Sequence, residues 1–320
     1  MQNIRLTRRW PEEVEQALTE LGQVHINEAD EPLSREQLEV ALANNEVVCP
    51  TVTDHLDAEL LLHSNVRTKL LANFGVGFNH IDIDAAKKAG IKVTNTPGVL
   101  TDATAEIALT LLLTSARRTG EGERHVRSGE WVGWRPTHML STQVTGKTLG
   151  IVGMGRIGTS LARKAHHGLG MRILYYNRSP IPESVAYELN AERVELDDLL
   201  MRSDFVSLNC PATPETRHII DADALSKMQS HAHLINTARG DIVDEKALVS
   251  ALENGVIASA GLDVYEAEPI LASGLTSLQN VVLLPHMGSG TNETRVAMGR
   301  CAMDNVAAFL QGQPLPNEVC

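Results

Sequence analysis

The chain has 320 residues, of which 43% are hydrophobic and 21% charged, an ordinary globular composition that suggests about two domains. Its 28 Lys and Arg residues against 40 Asp and Glu residues give a net charge of −12, which argues against nucleic acid as a partner because phosphate binding needs a basic surface. The N-terminus has no apolar core of signal-peptide length, and the most apolar helical run, residues 107–116, is too short to span a membrane, so we expect a cytoplasmic protein with no membrane partner.

Short apolar runs alternate with helix-like segments over the first hundred residues. Candidate helices cover residues 11–21 and 82–90, and the glycines at positions 22 and 90 are typical of helix C-termini. Strands that alternate with helices form βαβ units, so this part of the chain predicts a parallel sheet. Its candidate strands cover residues 4–7, 23–26, 46–49, 70–75 and 91–95.

One long helix is predicted next, from about Asp102 to Ser128. Its apolar band is too wide for a helix that faces solvent, so we expect one side to be buried between domains or subunits. A second α/β series begins near Thr148 and contains enough strands for a complete doubly wound domain. Its candidate strands cover residues 149–153, 172–176, 193–195, 205–209, 233–237, 259–264 and 281–285.

The last part of the chain, roughly residues 291–312, contains one helical stretch and no strand, which is too little for a domain of its own. We therefore predict an α/β protein with two Rossmann-like, doubly wound parallel-sheet domains, the cofactor domain inserted into the substrate domain. The predicted substrate domain, flavodoxin-like, covers residues 1–98 and 289–320, and the dinucleotide-binding domain covers 99–288. The four cysteines lack metal-ligand spacing, so no metal site is expected.

The stretch GMGRIG has glycines at positions 153, 155 and 158, the spacing G-x-G-x-x-G that opens dinucleotide-binding units. Gly153 permits the tight turn, Gly155 lets the backbone approach a pyrophosphate, and Gly158 lets the helix pack closely on the strand. A strand before it, a helix after it and the second strand RILYYN match the required context. We therefore predict that the turn binds a dinucleotide rather than being a glycine-containing turn without a ligand.

The end of that second strand has Asn177, Arg178 and Ser179 where an Asp or Glu would hold the adenosine ribose. A carboxylate there would repel a 2′-phosphate, whereas Arg178 offers a fork of donors suited to phosphate and its neighbours add neutral donors. We therefore predict a preference for NADP(H), with use of NAD(H) still open. The alternative is that Arg178 stacks on adenine or lies in solvent.

Three polar residues, Arg239, Glu268 and His286, follow three successive strands of the second series. Ligands of open parallel sheets bind outside the carboxyl ends of the strands, so these side chains should converge where the glycine turn holds the cofactor. The set suits reduction of a 2-oxo acid. His286 can protonate the alkoxide, Glu268 favours the charged imidazole, and Arg239 can bind the carboxylate and polarise the carbonyl. Taken singly, each residue also fits a structural role in a turn, a loop or an ion pair.

The chain resembles the D-isomer-specific 2-hydroxyacid dehydrogenases over nearly its whole length. Within that family it is most similar to the NADP-using glyoxylate/hydroxypyruvate reductases, because of NRS at 177–179 and the segment EWVGWRP. The motifs that carry the resemblance are NFGVGFNHIDIDAAKKAGIKVTNTPGVLTDATAE (73–106), TLGIVGMGRIG (148–158), LNCPATPETRHII (208–220), INTARGDIVDEKAL (235–248), AGLDVYEAEP (260–269) and LLPHMGSGTNETR (283–295).

The resemblance implies an enzyme that reduces a small 2-oxo acid, of the glyoxylate or hydroxypyruvate class, to the D-2-hydroxy acid with NADPH. It implies that Arg239, Glu268 and His286 are catalytic, and that the backbone of Val76 and Gly77 binds the substrate carboxylate. Arg239 and His286 also bind the substrate. It implies a homodimer with the long helix at the interface. Further cofactor contacts are implied at Thr104, Arg156, Ile157, Cys210, Pro211, Thr216, Thr237, Ala238, Asp263 and Gly288.

Two other functions stay open at this point. Another D-2-hydroxyacid dehydrogenase, such as a short-form phosphoglycerate dehydrogenase, is compatible with the same motifs, because the sequence does not fix the substrate side chain. A non-catalytic dinucleotide sensor that resembles the C-terminal-binding corepressors can keep the catalytic residues, although such a protein typically has extra tails for partner binding.

Overall fold

The computed structural model describes residues 2–320, and the chain divides into two compact units. The first unit contains the residues up to Leu100 and the segment Ser289–Cys320, and the second contains Thr101–Gly288. Each unit is built on its own parallel sheet, and the second is inserted into the chain of the first. The predicted fold class is therefore confirmed.

The first unit has a five-stranded sheet in which every pairing is parallel. Local sequence explains its helices, because the side chains of Ser34 and Asp82 each cap a helix N-terminus, and Gly90 ends the second of these helices at φ 68°. The strands are β1 (Asn3–Leu6), β2 (Gln23–His25), β3 (Val47–Cys49), β4 (Leu70–Ala72) and β5 (Lys92–Thr94), and the helices are α1 (Glu12–Leu18), α2 (Arg35–Asn44), α3 (Ala58–Leu61) and α4 (Ile83–Ala89). The order β2-β1-β3-β4-β5 is that of flavodoxin-like sheets.

The second unit has a seven-stranded parallel sheet that is buried on both faces. Successive strand residues point to opposite faces, and Ile151 and Val152, for example, belong to two different hydrophobic clusters. Its helices are α5 (Thr101–Arg117), α6 (Thr119–Arg127), α7 (Arg156–Leu169), α8 (Glu183–Leu189), α9 (Leu196–Arg202), α10 (Ala222–Lys227) and α11 (Glu245–Glu253). Its strands are β6 (Thr148–Val152), β7 (Arg172–Tyr176), β8 (Glu192–Arg193), β9 (Phe205–Leu208), β10 (His233–Asn236), β11 (Ser259–Leu262) and β12 (Val281–Leu283).

The strands of this sheet run in the order β8-β7-β6-β9-β10-β11-β12. The direction of winding reverses between β6 and β9, which is the switch point where doubly wound sheets bind ligands. Short 3₁₀ segments occur at Gly240–Ile242 and Leu275–Ser277. Each strand of the second predicted series is present, although β8 covers Glu192–Arg193 instead of 193–195 because it is a short edge strand paired with β7 alone.

The single long helix predicted over 102–128 is wrong. It breaks at Arg118, whose φ of 53° is left-handed and whose side chain bonds to the carbonyl oxygen of Leu140 at 2.9 Å. The wide apolar band of α5 packs within the second unit, where Leu111 lies so close to Gly261 of β11 that a Cβ there would be 2.9 Å from it. The band therefore gives no evidence for a subunit interface.

After the insertion the chain returns to the first unit as α12 (Asn292–Leu310), in agreement with the predicted terminal helix. Gly299 lets α12 approach α1, since a Cβ there would lie 2.9 Å from the side chain of Val14. Among residues 2–320, no helix is long and apolar enough to cross a membrane. The same residues contain no cluster of three or more His, Cys, Asp or Glu side chains that could hold a metal ion.

Candidate active site

The glycine turn connects β6 to α7 at the carboxyl end of the sheet. Gly153 has φ 94°, and a Cβ there would overlap the backbone of Cys210, so only glycine fits. Gly158 is equally constrained, because its Cβ would meet the carbonyl oxygen of Gly153. Gly155, in contrast, has open space on its Cβ side and precedes α7 without a side-chain cap. The first amides of α7 are therefore available to an anion.

Two buried side-chain oxygens near the switch point have no hydrogen-bond partner in the described part of the chain. They are Asn209 Oδ1, after β9, and Thr237 Oγ1, after the neighbouring strand β10. Buried polar atoms are nearly always paired, so these oxygens indicate a place for a polar ligand. Together with the open side of Gly155, they fit a bound dinucleotide.

The segment after β7 is joined to the glycine turn through Asn177. Its Oδ1 accepts the amide hydrogen of Met154 at 3.0 Å. Arg193 holds the same segment, because its Nη2 donates to the carbonyl oxygens of Asn177 and Arg178 at 3.0 and 3.2 Å. Asn177 thus provides an acceptor that an aspartate could also provide, but without the negative charge. Arg178 and Ser179 are exposed at the end of this segment.

The three predicted catalytic residues follow β10, β11 and β12, which are neighbours in the sheet. Glu268 Oε2 accepts from Nδ1 of His286 at 2.8 Å, and its Oε1 accepts the Tyr265 amide hydrogen at 3.0 Å. Burial opposes ionisation of Glu268, but His286, the Tyr265 amide and Arg239 outweigh burial and lower its pKa. An ionised Glu268 only accepts hydrogen bonds, so Nδ1 of His286 carries a hydrogen and Nε2 is left to exchange a proton.

His286 has an uncommon backbone conformation, with φ 53°. The left-handed region is costly for residues with a side chain, and such residues cluster at functional sites. Asp263 supports this conformation, because its Oδ1 accepts the amide hydrogen of the next residue, Met287, at 2.8 Å. Burial raises the pKa of Asp263, while that amide and the charge of His286 oppose the rise.

The loop of Arg239 lies against the loop of Glu268. Asn236, at the end of β10, donates from Nδ2 to the carbonyl oxygen of Arg239 at 2.8 Å. The next residue, Gly240, is so close to the Tyr265–Glu266 peptide that a Cβ would overlap it. Burial lowers the pKa of Arg239, and the negative charge of Glu268 opposes that effect. The structure thus brings the loop that contains Arg239 and the loop that contains Glu268 together.

A buried carboxylate that was not predicted from the sequence holds the loop of Glu268. Glu245, the first residue of α11, accepts the amide hydrogens of Glu266 at 2.7 Å and Ala272 at 3.3 Å. Burial raises the pKa of Glu245, and these two amides oppose the rise. A charged residue at the start of a helix looks like an ordinary first-turn acid, so the sequence contains no signal for this contact.

The other predicted cofactor contacts also lie in the second unit, most of them after strand ends. A Cβ on Gly288 would lie 3.2 Å from Asp263 and 3.3 Å from Thr104, so the structure brings these three residues together. Arg156 and Ile157 begin α7, and the remaining contacts follow β9 (Cys210, Pro211, Thr216) and β10 (Thr237, Ala238). The predicted substrate residues Val76 and Gly77 lie in the first unit, in a partly buried loop after β4.

A doubly wound domain with this glycine turn at its switch point is typical of enzymes that use a dinucleotide, and the bonded His–Glu pair lies at the same edge of the sheet. Residues 109–288 match the family described as D-isomer specific 2-hydroxyacid dehydrogenase, NAD binding domain. The chain belongs to the D-isomer-specific 2-hydroxyacid dehydrogenases, and the resemblance seen in its motifs is confirmed.

Known proteins similar to this chain agree with that assignment. A glyoxylate reductase of Thermococcus litoralis is 51% identical over 272 residues, which cover 84% of this chain and 81% of the relative. A solved structure from Thermus thermophilus has a TM-score of 0.91 and 40% identity, covering 99% of this chain and 100% of that one. An NADPH-dependent glyoxylate/hydroxypyruvate reductase of Sinorhizobium meliloti, in complex with NADP and malonate, has a TM-score of 0.87 and 33% identity, covering 100% and 97%. The protein is thus an oxidoreductase with a nicotinamide dinucleotide cofactor.

Proposed function

We propose that the protein reduces a small 2-oxo acid, of the glyoxylate or hydroxypyruvate class, to the D-2-hydroxy acid with NADPH. The observation that carries this proposal is the 2.8 Å hydrogen bond between Glu268 and Nδ1 of His286 at the carboxyl edge of the sheet. Because an ionised Glu268 supports a protonated imidazole, Nε2 can deliver the proton that the reduction requires. The name of the relative from Thermococcus litoralis supports glyoxylate as a substrate.

The site residues divide the chemistry between them. When bound, the reduced nicotinamide supplies a hydride to the carbonyl carbon and is oxidised. The carbonyl oxygen takes a proton from Nε2 of His286, so the oxo group becomes a hydroxyl and the imidazole becomes neutral. Arg239 binds the carboxylate with its fork of donors and polarises the carbonyl. Glu268 keeps its charge and holds the imidazole.

We assign the second unit to the cofactor and the first to substrate binding. The glycine turn and the N-terminus of α7 would hold the pyrophosphate, and the segment 177–179 would hold the adenosine ribose and its phosphate. The backbone of Val76 and Gly77 would bind the substrate carboxylate, as the family resemblance implies. The first predicted domain limit, 98/99, lies two residues before the limit between the two units, Leu100/Thr101. The second predicted limit, 288/289, is the same as the limit Gly288/Ser289.

A panel of glyoxylate, hydroxypyruvate, pyruvate and 3-phosphohydroxypyruvate, assayed with NADH and NADPH, tests the proposal. We expect the highest kcat/KM with NADPH and either glyoxylate or hydroxypyruvate. The highest value with 3-phosphohydroxypyruvate would identify a phosphoglycerate dehydrogenase instead. Tight NADPH binding without turnover of any acid would identify a dinucleotide sensor.

Replacing Arg178 by alanine is expected to weaken the use of NADPH selectively, by roughly 1.5–3 kcal/mol in kcat/KM, the usual value of a hydrogen bond to a charged group. NADH has no 2′-phosphate, so its kcat/KM should change little. Steady-state kinetics of the variant with both cofactors measure the difference.

Arg172 provides the matched control for this experiment. It is exposed and begins β7, whereas Arg178 follows the other end of that strand. The Arg172→Ala variant should keep the wild-type ratio of the two kcat/KM values. Equal losses with both cofactors in Arg178→Ala would show that this residue does not bind the 2′-phosphate.

The protein is also expected to be a homodimer. Large apolar side chains near α6 are exposed on the single chain, among them Trp131, Trp134 and Leu140 at 52%, 82% and 66%. Such a group of exposed apolar residues is typical of a subunit interface. Light scattering at micromolar concentration should therefore give twice the mass of one chain. The variant Trp134→Glu should shift the protein toward the monomer, and a wild-type monomer would contradict the prediction.

A further inference from the structure

The loop after β4 is held by its carbonyl oxygens. Asn73 Nδ2 donates to the carbonyl oxygens of Gly75 and Gly77, each at 3.0 Å. Asn95 Nδ2 donates to the carbonyl oxygen of Val76 at 2.9 Å. The carbonyl groups of Gly75, Val76 and Gly77 are therefore each bound to an asparagine side chain of the same unit.

These bonds fix the direction of the loop amides. In a trans peptide the C=O of one residue and the N–H of the next point in opposite directions. Because the carbonyls of Gly75 and Val76 point at asparagine side chains, the amide hydrogens of Val76 and Gly77 point away from them. Within residues 2–320, neither amide donates a hydrogen bond. Two adjacent unpaired backbone amides are a candidate binding group for an anion.

Asn73 is itself oriented by His80. Both side chains are buried, and His80 Nε2 lies 3.0 Å from Asn73 Oδ1. Both hydrogens of Asn73 Nδ2 go to carbonyl oxygens, so the amide cannot be flipped, and Nε2 of His80 must carry the hydrogen that Oδ1 accepts. The imidazole therefore fixes the plane of the asparagine amide, and the amide fixes the loop.

We propose that Asn73 and His80 are a positioning pair that aims the Val76 and Gly77 amides at the substrate carboxylate. The inference rests on the proposed function, in which the substrate is a 2-oxo acid held by these amides. Neither side chain of the pair does chemistry on the substrate. Their contribution is orientation, which matters because a misplacement of about 1 Å in a binding group can cost about 100-fold.

The variant Asn73→Leu keeps the size of the side chain and removes both donors. We expect the Kd of oxalate, an unreactive carboxylate probe measured with NADPH bound, to rise about 10–100-fold, together with the KM of glyoxylate. The KM of NADPH and kcat at saturating glyoxylate should change much less. This split between KM and kcat distinguishes positioning of the carboxylate from a general loss of structure.

Thr68→Val is the matched control. Thr68 is buried just before β4, at the end of the strand opposite to Asn73, and its hydroxyl lies 3.0 and 2.9 Å from the carbonyl oxygens of Leu42 and Asn45. The variant therefore also removes buried contacts to two carbonyl groups of the same unit. Its oxalate Kd should stay close to the wild-type value. An equal rise of the oxalate Kd in both variants would overturn the proposal.

The imidazole gives a second test that does not depend on the folding of Asn73→Leu. His80→Leu removes the hydrogen bond to Asn73 and should weaken oxalate binding. His80→Gln keeps a donor at the position of Nε2 and should restore most of it. A glutamine variant as weak as the leucine variant would overturn the role of His80. A wild-type protein that neither binds oxalate nor reduces a 2-oxo acid would overturn the proposed function itself.

Discussion

Replacing His286 by alanine is expected to lower kcat/KM for NADPH-driven reduction of glyoxylate by about 10²–10⁴-fold, the usual contribution of a general acid. The proton would then have to come from water, because Glu268 is ionised at neutral pH and an arginine such as Arg239 does not release its proton. The Kd of NADPH, measured by fluorescence titration, should be unchanged, since the glycine turn and Arg178 are intact.

The chain offers an unusually close control for this substitution. His218 also has a left-handed backbone, at φ 49°, and its Nε2 lies 2.8 Å from Glu266, a residue of the loop that contains Glu268. The two imidazoles are similarly exposed, at 32% and 30%. His218→Ala should therefore perturb the same loop without removing the proton donor. A loss of kcat/KM as large as that of His286→Ala would contradict the assignment of His286 as the acid.

The convergence of Arg239, Glu268 and His286 could be predicted because it needs only two facts from the sequence. Each residue follows a buried strand, and parallel strands bring their carboxyl ends to one edge. The structure supplies what this reasoning lacks, which is that β10, β11 and β12 are neighbours and that Gly240 packs on the Tyr265–Glu266 peptide. Gly240 belongs to the motif INTARGDIVDEKAL, but the motif does not predict its contact with Tyr265, which lies 25 residues away in the chain.

The features that the sequence did not predict have a common physical cause, since each depends on tertiary contacts. At the helix break the side chain of Arg118 donates to the carbonyl oxygen of Leu140, a contact 22 residues away in the chain that local propensity does not predict. The apolar width of α5 is explained by its packing inside its own unit. Asn73 and His80 lie in the motif NFGVGFNHID, yet their bond depends on the way the chain folds back after β4. Periodicity therefore predicts elements, and it does not predict which side chains hold loops.

Replacing Glu268 by glutamine is the second change with a large expected effect. Both carboxylate oxygens accept hydrogen bonds, from Tyr265 and from Nδ1 of His286. A glutamine has one acceptor, so if its oxygen keeps the Tyr265 amide, its NH₂ group faces Nδ1 and disfavours a hydrogen there. The imidazole would then favour the neutral form with its hydrogen on Nε2, which is a poor acid. We expect kcat/KM for reduction to fall on the order of 10⁴-fold, the loss seen when an amide replaces the carboxylate that supports the histidine of a Ser-His-Asp triad.

The pH profile shows whether this loss has the proposed cause. Reduction needs the protonated imidazole, so its basic limb reports the loss of that proton. Without the carboxylate charge the protonated imidazole loses a favourable interaction, so the basic limb should move to lower pH. Glu266→Gln, which alters the partner of His218 in the same loop, should leave the limb in place. The measurement is kcat/KM for glyoxylate against pH, under conditions in which a deuterium isotope effect shows that hydride transfer limits the rate. A basic limb that does not move in Glu268→Gln would contradict the role of this carboxylate, whatever the size of the loss.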